Sequence, residues 1–278
     1  MPTPQRRLTN LAVRTLSGLV LVPAVLLAVH EGGWALVLLV LLIVGRGTWE
    51  FYHMAAQSGG RPARHLGLGL SLGVCLSAYV AGPQHLGICV AIAVVVVLGA
   101  ALWQGVEHYT SDALLTLGGV VYLGVLGSAP LLIVRAAGPL HRPEAGALLA
   151  LLFACLWLTD AAAYLCGRRW GRRRLAPSIS PGKTVVGTVS GTIAGLAPAL
   201  LHSLTPSFTR LELLGLMLLA SLGGQVGDLV ESAIKRDLGV KDAPPLIPGH
   251  GGVLDRFDSY LFAFPLAYVY IGGVGVYS

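Results

Sequence analysis

Asp228, Glu231, Ser232, Lys235 and Arg236 stand at i, i+3, i+4, i+7 and i+8, a spacing that lines acid, hydroxyl and base along one face of a helix. Further on, Pro248-Gly249-His250-Gly251-Gly252 supplies backbone able to approach phosphate oxygens closely, and Asp255, Arg256 and Asp258 follow. Residues 228–258 hold five of the seven aspartates in the chain and, in Lys235 and Lys241, two of its three lysines. Arginine supplies the remaining positive charge, so the retained lysines mark places where a compact ammonium is wanted, as at a phosphate. Glu231 and Lys235 form a favourable i, i+4 pair, whereas Asp228 has no basic residue four positions on and is left for a cation. Aspartates from two spans at one membrane level suit Mg2+, which takes one or two carboxylates and completes its shell with substrate phosphates and water. The chemistry this pattern fits is metal-dependent phosphoryl or nucleotidyl transfer at a membrane surface.

A second polar segment precedes it. Ser180-Pro181-Gly182-Lys183-Thr184 reads as a turn with hydroxyls and a lysine just before a helix N-terminus, a ready anion site. It is not a Walker A loop, because Pro177 stands where that motif needs its first glycine. Arg168, Arg169, Arg172, Arg173 and Arg174 precede it and read as topology signal and lipid-headgroup attraction. Asp160 lies about two turns inside the adjacent span, where it either pairs with Arg168 or lines the site. Glu50, Glu107, His108 and Asp112, by contrast, read as helix ends and loops.

The elements that must position these groups are membrane helices. The 278 residues are 55% hydrophobic and 12% charged, too apolar for a soluble domain. Apolar runs near the length of a bilayer crossing occur at about 15–30, 33–45, 66–82, 86–103, 117–136, 146–166, 185–204, 211–230 and 259–277. The expected fold is thus all-α and polytopic with about nine spans, eight being the alternative; Gly32-Gly33 let the short second run pair with the first as a tight hairpin or tilt to fit. Residues 1–145 form an N-terminal set of helices serving as scaffold, and residues 146–278 carry the catalytic charge. With the N-terminus cytoplasmic, 16 of the 19 basic residues fall inside and only Arg135, Arg142 and Arg210 outside. That puts the 228–258 segment on the cytoplasmic side of what is expected to be a bacterial inner membrane. The first span, after Arg6 and Arg7, is expected to be retained, because no small-residue cleavage pattern follows it. Cys75, Cys89, Cys155 and Cys166 lack metal-site spacing and read as packing residues, and Gly223, Gly224 and Gly227 suit close helix approach.

The run from Ser232 through Lys235, Arg236, Lys241 and Asp242 to Ile247-Pro248-Gly249-His250-Gly251-Gly252-Val253-Leu254-Asp255-Arg256-Phe257-Asp258 closely resembles the signature of the phosphatidate cytidylyltransferase family. Ser180 to Thr184 and Asp160 to Tyr164 resemble further segments of that family, so the likeness covers about residues 155–260. The resemblance implies a multi-span helical enzyme that joins CTP to phosphatidic acid with Mg2+, releasing pyrophosphate and forming CDP-diacylglycerol. By position it implies Asp228 and Asp255 as metal carboxylates and Lys235, Arg236, Lys241, His250 and Arg256 as phosphate contacts. Ser180, Lys183, Thr184, Ser232, Gly251 and Gly252 complete the substrate-binding set, with Asp160, Glu231, Asp242 and Asp258 as secondary candidates. Expected partners are CTP, phosphatidic acid and membrane lipids, without nucleic acid; a second cation and a homodimer are compatible with the pattern. Two positions depart from the family: Pro244 where a small residue is usual, and Val186 where a glutamate often stands. The rival readings are a CTP- or ATP-dependent polyprenol or lipid kinase, which would transfer the γ-phosphoryl group, and a secondary transporter. Charge confined to one surface, with no polar counterpart in the first half, argues against transport.

Overall fold

The computed structural model describes residues 22–103, 105–241, 243–244 and 251–277. Helix α1 (Val22–Glu31) is followed by α2 (Gly33–Gln57), α3 (Arg64–Val80), α4 (Leu86–Leu102) and α5 (Tyr109–Gly119). A π-helical stretch (Val120–Val125) joins α5 to α6 (Ala129–Ala137), and α7 (Arg142–Trp170) runs on to a two-stranded antiparallel hairpin of β1 (Arg174–Ala176) and β2 (Ser180–Thr184). Then come α8 (Val185–Gly195), a 3-10 extension (Ala197–Leu204), α9 (Arg210–Asp237), the single turn α10 (Leu254–Phe257) and α11 (Tyr260–Val274). Seven stretches among the described residues are long and apolar enough to cross a bilayer: Gly33–Gln57, Pro83–Leu102, Tyr109–Ala137, Arg142–Trp170, Val185–Leu204, Arg210–Asp237 and Leu254–Val274. The chain is an all-α integral membrane protein. Of the two remaining expected spans, one is the 17-residue α3 and the other falls on α1 and on residues before 22, outside the described ones.

The second expected span is 25 residues long rather than short. It continues through Arg46 and Glu50 because the two pair at 2.8 Å across one helical turn, which lets both charges ride inside a helix. The turn expected at Ser180 to Thr184 is strand β2, registered so that Thr184 faces Arg174 and Ser180 faces Ala176. At its end the Thr184 hydroxyl accepts from Gly187 N at 3.1 Å and caps α8. A reciprocal capping box starts α9: Glu212 N donates to the Thr209 hydroxyl at 3.2 Å and Thr209 N donates to the Glu212 carboxylate at 2.7 Å.

Glycine contacts set the helix spacing. A Cβ added at Gly191 of α8 would lie 2.7 Å from Thr159 O of α7, and one at Gly227 of α9 would lie 2.6 Å from Asp258 O. Each replaces a side chain with backbone contact, the small-residue packing that brings membrane helices together where lipid gives no hydrophobic drive. The first welds α7 to α8, and the second seats α9 against the start of α11. Leu38, Leu42, Val95 and Leu102 are exposed, the surface a lipid-facing helix presents.

Candidate active site

The ends of α7, α8 and α9 and the hairpin enclose a cleft of about 620 Å3. Asp160, Arg168, Arg174, Ser180, Lys183, Thr184, Gln225 and Asp228 are among the residues that line it. Lys183 is delivered by strand β2 and Asp228 by α9; Lys183 Nζ sits 2.7 Å from Asp228 Oδ2 and also donates to Gln225 O at 3.4 Å. Asp228 therefore has a cation, although not along its own helix: the partner comes from the hairpin, which spacing on α9 could not reveal. The Ser232 hydroxyl reaches the other Asp228 oxygen only weakly, at 3.5 Å. Asp160 lines this cleft and feels the charges of Asp228 and Lys183, while Arg168 bonds to the Tyr164 hydroxyl at 3.3 Å. Arg168 and Arg174, read from the sequence as topology signal and lipid-headgroup attraction, are cleft walls. Thr184 also lines the cleft, with its oxygen committed to the α8 cap.

A second cluster lies one helical turn further along α9. Lys235 Nζ bridges Glu231 Oε2 at 2.5 Å and Asp255 Oδ1 at 2.8 Å, so the expected i, i+4 pair forms and draws in α10. Asp255 also accepts from Ala243 N at 3.2 Å and from Gly252 N at 3.4 Å. Gly251 takes a positive φ of 74° there, a conformation that favours glycine. Two buried oxygens near this cluster have no hydrogen-bond partner among the described residues: Glu231 Oε1 and the Tyr122 hydroxyl. Tyr122 is presented by the π-helical stretch and feels the charges of Asp258, Glu231 and Asp228, so a group from the N-terminal half reaches the acidic cluster. Asp258 is buried, accepts from Ser259 N at 2.7 Å and feels Asp228 and Asp160.

Glu50 corrects the sequence reading outright. Expected at a helix end, it is fully buried within α2, where its carboxylate accepts from Val253 N at 3.0 Å and Leu254 N at 2.8 Å. It caps the turn that carries Asp255, and Arg46 both pairs with it and reaches Pro244 O at 3.4 Å. A Cβ at Gly252 would meet Glu50 Oε2 at 2.7 Å, so the backbone lies directly against the carboxylate. An acid four residues after an arginine in an apolar stretch is the signal that could have found this latch.

The remaining candidates spread outward. Arg236 is exposed and donates to Ile179 O of the hairpin at 3.4 Å, while Lys241 and Arg256 are exposed and do not line the cleft. Asp242 and His250 fall outside the described residues. Among the described residues no group of three or more His, Cys, Asp or Glu forms a ready metal site. A cation here would have to draw part of its shell from a substrate, as Mg2+ on polyphosphate does. Cys75 and Cys155 are buried free thiols, and Cys89 and Cys166 are half-buried and also free.

The sequence has counterparts in known proteins. A model of the cytidylyltransferase family matches residues 12–273. A phosphatidate cytidylyltransferase of Synechocystis sp. is 33% identical over 263 residues, covering 86% of this chain and 89% of that protein. Proteins of the same name are 47% identical over 116 residues in Staphylococcus aureus, covering 41% of this chain and 45% of theirs, and 46% identical over 122 residues in Bacillus subtilis, covering 42% and 45%.

Proposed function

The chain belongs to the cytidylyltransferase family, and from that premise we propose that it is a phosphatidate cytidylyltransferase, converting CTP and phosphatidic acid to CDP-diacylglycerol and pyrophosphate. The observation that carries the reading beyond family membership is the cleft in which Lys183, Arg168 and Arg174 stand beside Asp228 and Asp160 at the ends of membrane helices. Cationic donors for a triphosphate and carboxylates for its counter-ion meet there within reach of a lipid surface. The working site is the cytoplasmic face of a bacterial inner membrane, as the distribution of arginine supports.

In the reaction, a phosphate oxygen of phosphatidic acid attacks the α-phosphorus of CTP in line, the bond from α-phosphorus to the bridging oxygen breaks, and pyrophosphate leaves. A phosphomonoester has a second pKa of about 6, so the attacking oxygen is already ionised at neutral pH and no side chain has to remove a proton. Lys183, Arg168 and Arg174 would neutralise the charge that builds on the phosphates, with Lys183 moving from Asp228 to phosphate as CTP enters. Asp228, on the cleft wall, and Asp255, in the neighbouring cluster, are the residues that would hold Mg2+, with the rest of its shell from substrate phosphate and water; the unpartnered oxygens of Glu231 and Tyr122 suit an oxygen-rich cation environment. When bound, Mg2+ would supply charge neutralisation on the transferring and leaving phosphates. Lys235 would keep Asp255 and Glu231 in place, and the exposed Lys241, Arg236 and Arg256 would meet substrate from the solvent side.

The test is incubation of the purified protein in detergent with phosphatidic acid, Mg2+ and CTP labelled at its α-phosphorus. Label entering the lipid phase with stoichiometric pyrophosphate supports the reading. Release of CDP with phosphate on a lipid alcohol would replace it by the kinase.

A further inference from the structure

The arginines on the other side of the membrane converge. Of the three basic residues expected outside, Arg135 and Arg142 line one cleft of about 520 Å3 together with Trp34, Tyr79, Val80, Val134, Gly138 and Pro139. This cleft lies at the far end of the helices that build the active site. Trp34 precedes Glu50 by 16 residues of α2 and Arg142 precedes Asp160 by 18 residues of α7, which at 1.5 Å per residue is about 24 Å and about 27 Å of helix. That is the thickness of a hydrocarbon core, so the two clefts open on opposite leaflets.

Its chemistry is that of a lipid head group. The Arg135 guanidinium is held in position by donating to Tyr79 O at the C-terminal end of α3. Arg142, on the first turn of α7, is exposed and makes no ion pair among the described residues, and the N-terminal amides of α7 add to its positive field. The nearest acid along the chain, Glu144, is committed elsewhere: it accepts from Ser207 N and from the Ser207 hydroxyl, each at 2.7 Å, and contacts His141 at 3.3 Å. Trp34 and Tyr79 stack edge to face at 5.4 Å, the amphipathic pair expected at head-group depth. The apolar lining is exposed at Trp34 and Val80, at 66% and 58%. An anion bound here would have acyl chains beside it. We propose that this cleft binds the phosphodiester head group of one anionic phospholipid in the leaflet opposite the catalytic face, gripped by Arg135 and Arg142.

Native mass spectrometry of the full-length protein in detergent, titrated separately with phosphatidylglycerol and with phosphatidylcholine of the same chains, tests this. The expected result is one phosphatidylglycerol retained in preference to phosphatidylcholine, with retention about fivefold weaker in Arg142→Gln. Arg142→Gln is the first variant because Arg135 also secures the end of α3. Retention in Lys183→Met should match that of the unaltered protein, since the active-site cleft is on the other face. Equal retention of the two lipids, an Arg142→Gln variant that holds phosphatidylglycerol as well as the parent, loss in Lys183→Met instead, or displacement of the lipid by inorganic phosphate would each overturn the proposal.

Discussion

Both carboxylates expected to hold a metal are already in contact with lysine: Asp228 with Lys183 at 2.7 Å and Asp255 with Lys235 at 2.8 Å. The two pairs differ in kind. The Lys183–Asp228 pair sits on a cleft wall and is partly open to solvent, so its ammonium can be drawn off by a polyphosphate. Lys235 is only 12% exposed and shared between two acids, a structural clamp whose rupture would leave buried charge uncompensated. Asp228→Asn, which keeps size and removes charge, should lower turnover at least about a hundredfold while leaving the fold intact. Initial rates at saturating Mg2+ check this, and near-normal rates would refute the role. Residue types on α9 were readable in advance because helical periodicity puts them on one face. The hairpin partner of Asp228 was not, because cross-element pairing leaves no periodic trace.

At the level of elements, α10 is a single turn with little cohesion of its own, and its geometry is borrowed from α2. Glu50 supplies the acceptor for two amides that a four-residue helix cannot satisfy internally. Glu50→Gln should weaken the protein by about 1–3 kcal/mol, because one buried acceptor changes and Arg46 loses its counter-charge. It should also lower kcat, since the turn presenting Asp255 loosens. Thermal unfolding in detergent and steady-state kinetics report the two effects, and a variant with both unchanged would show that the turn stands without the latch. The apolar runs at 146–166, 185–204, 211–230 and 259–277 were legible as spans because length and hydropathy suffice to specify them. The extent of α2 was not, because charges that neutralise each other inside a helix look like a span's end. The π-helical stretch was hidden as well, since no residue pattern distinguishes Val120–Val125 from an ordinary apolar turn.

At the scale of the whole molecule, the charge distribution predicts that the hairpin faces the cytoplasm and the turn between α3 and α4 faces away. In a background stripped of native cysteines, a membrane-impermeant maleimide should label Gln84→Cys in intact cells and Ser178→Cys only in inverted vesicles. The opposite pattern would reverse the topology and, with it, the leaflet assigned to each cleft. The order in which the chain is made adds a temporal constraint. Glu50 is synthesised about two hundred residues before the amides it receives at Val253 and Leu254. Until the segment carrying Val253 and Leu254 leaves the ribosome, that carboxylate has Arg46 as its companion, and the turn that presents Asp255 is not assembled. A chain stalled before Val253 and Leu254 would lack the amides that Glu50 receives and should sit in the membrane without consuming nucleotide.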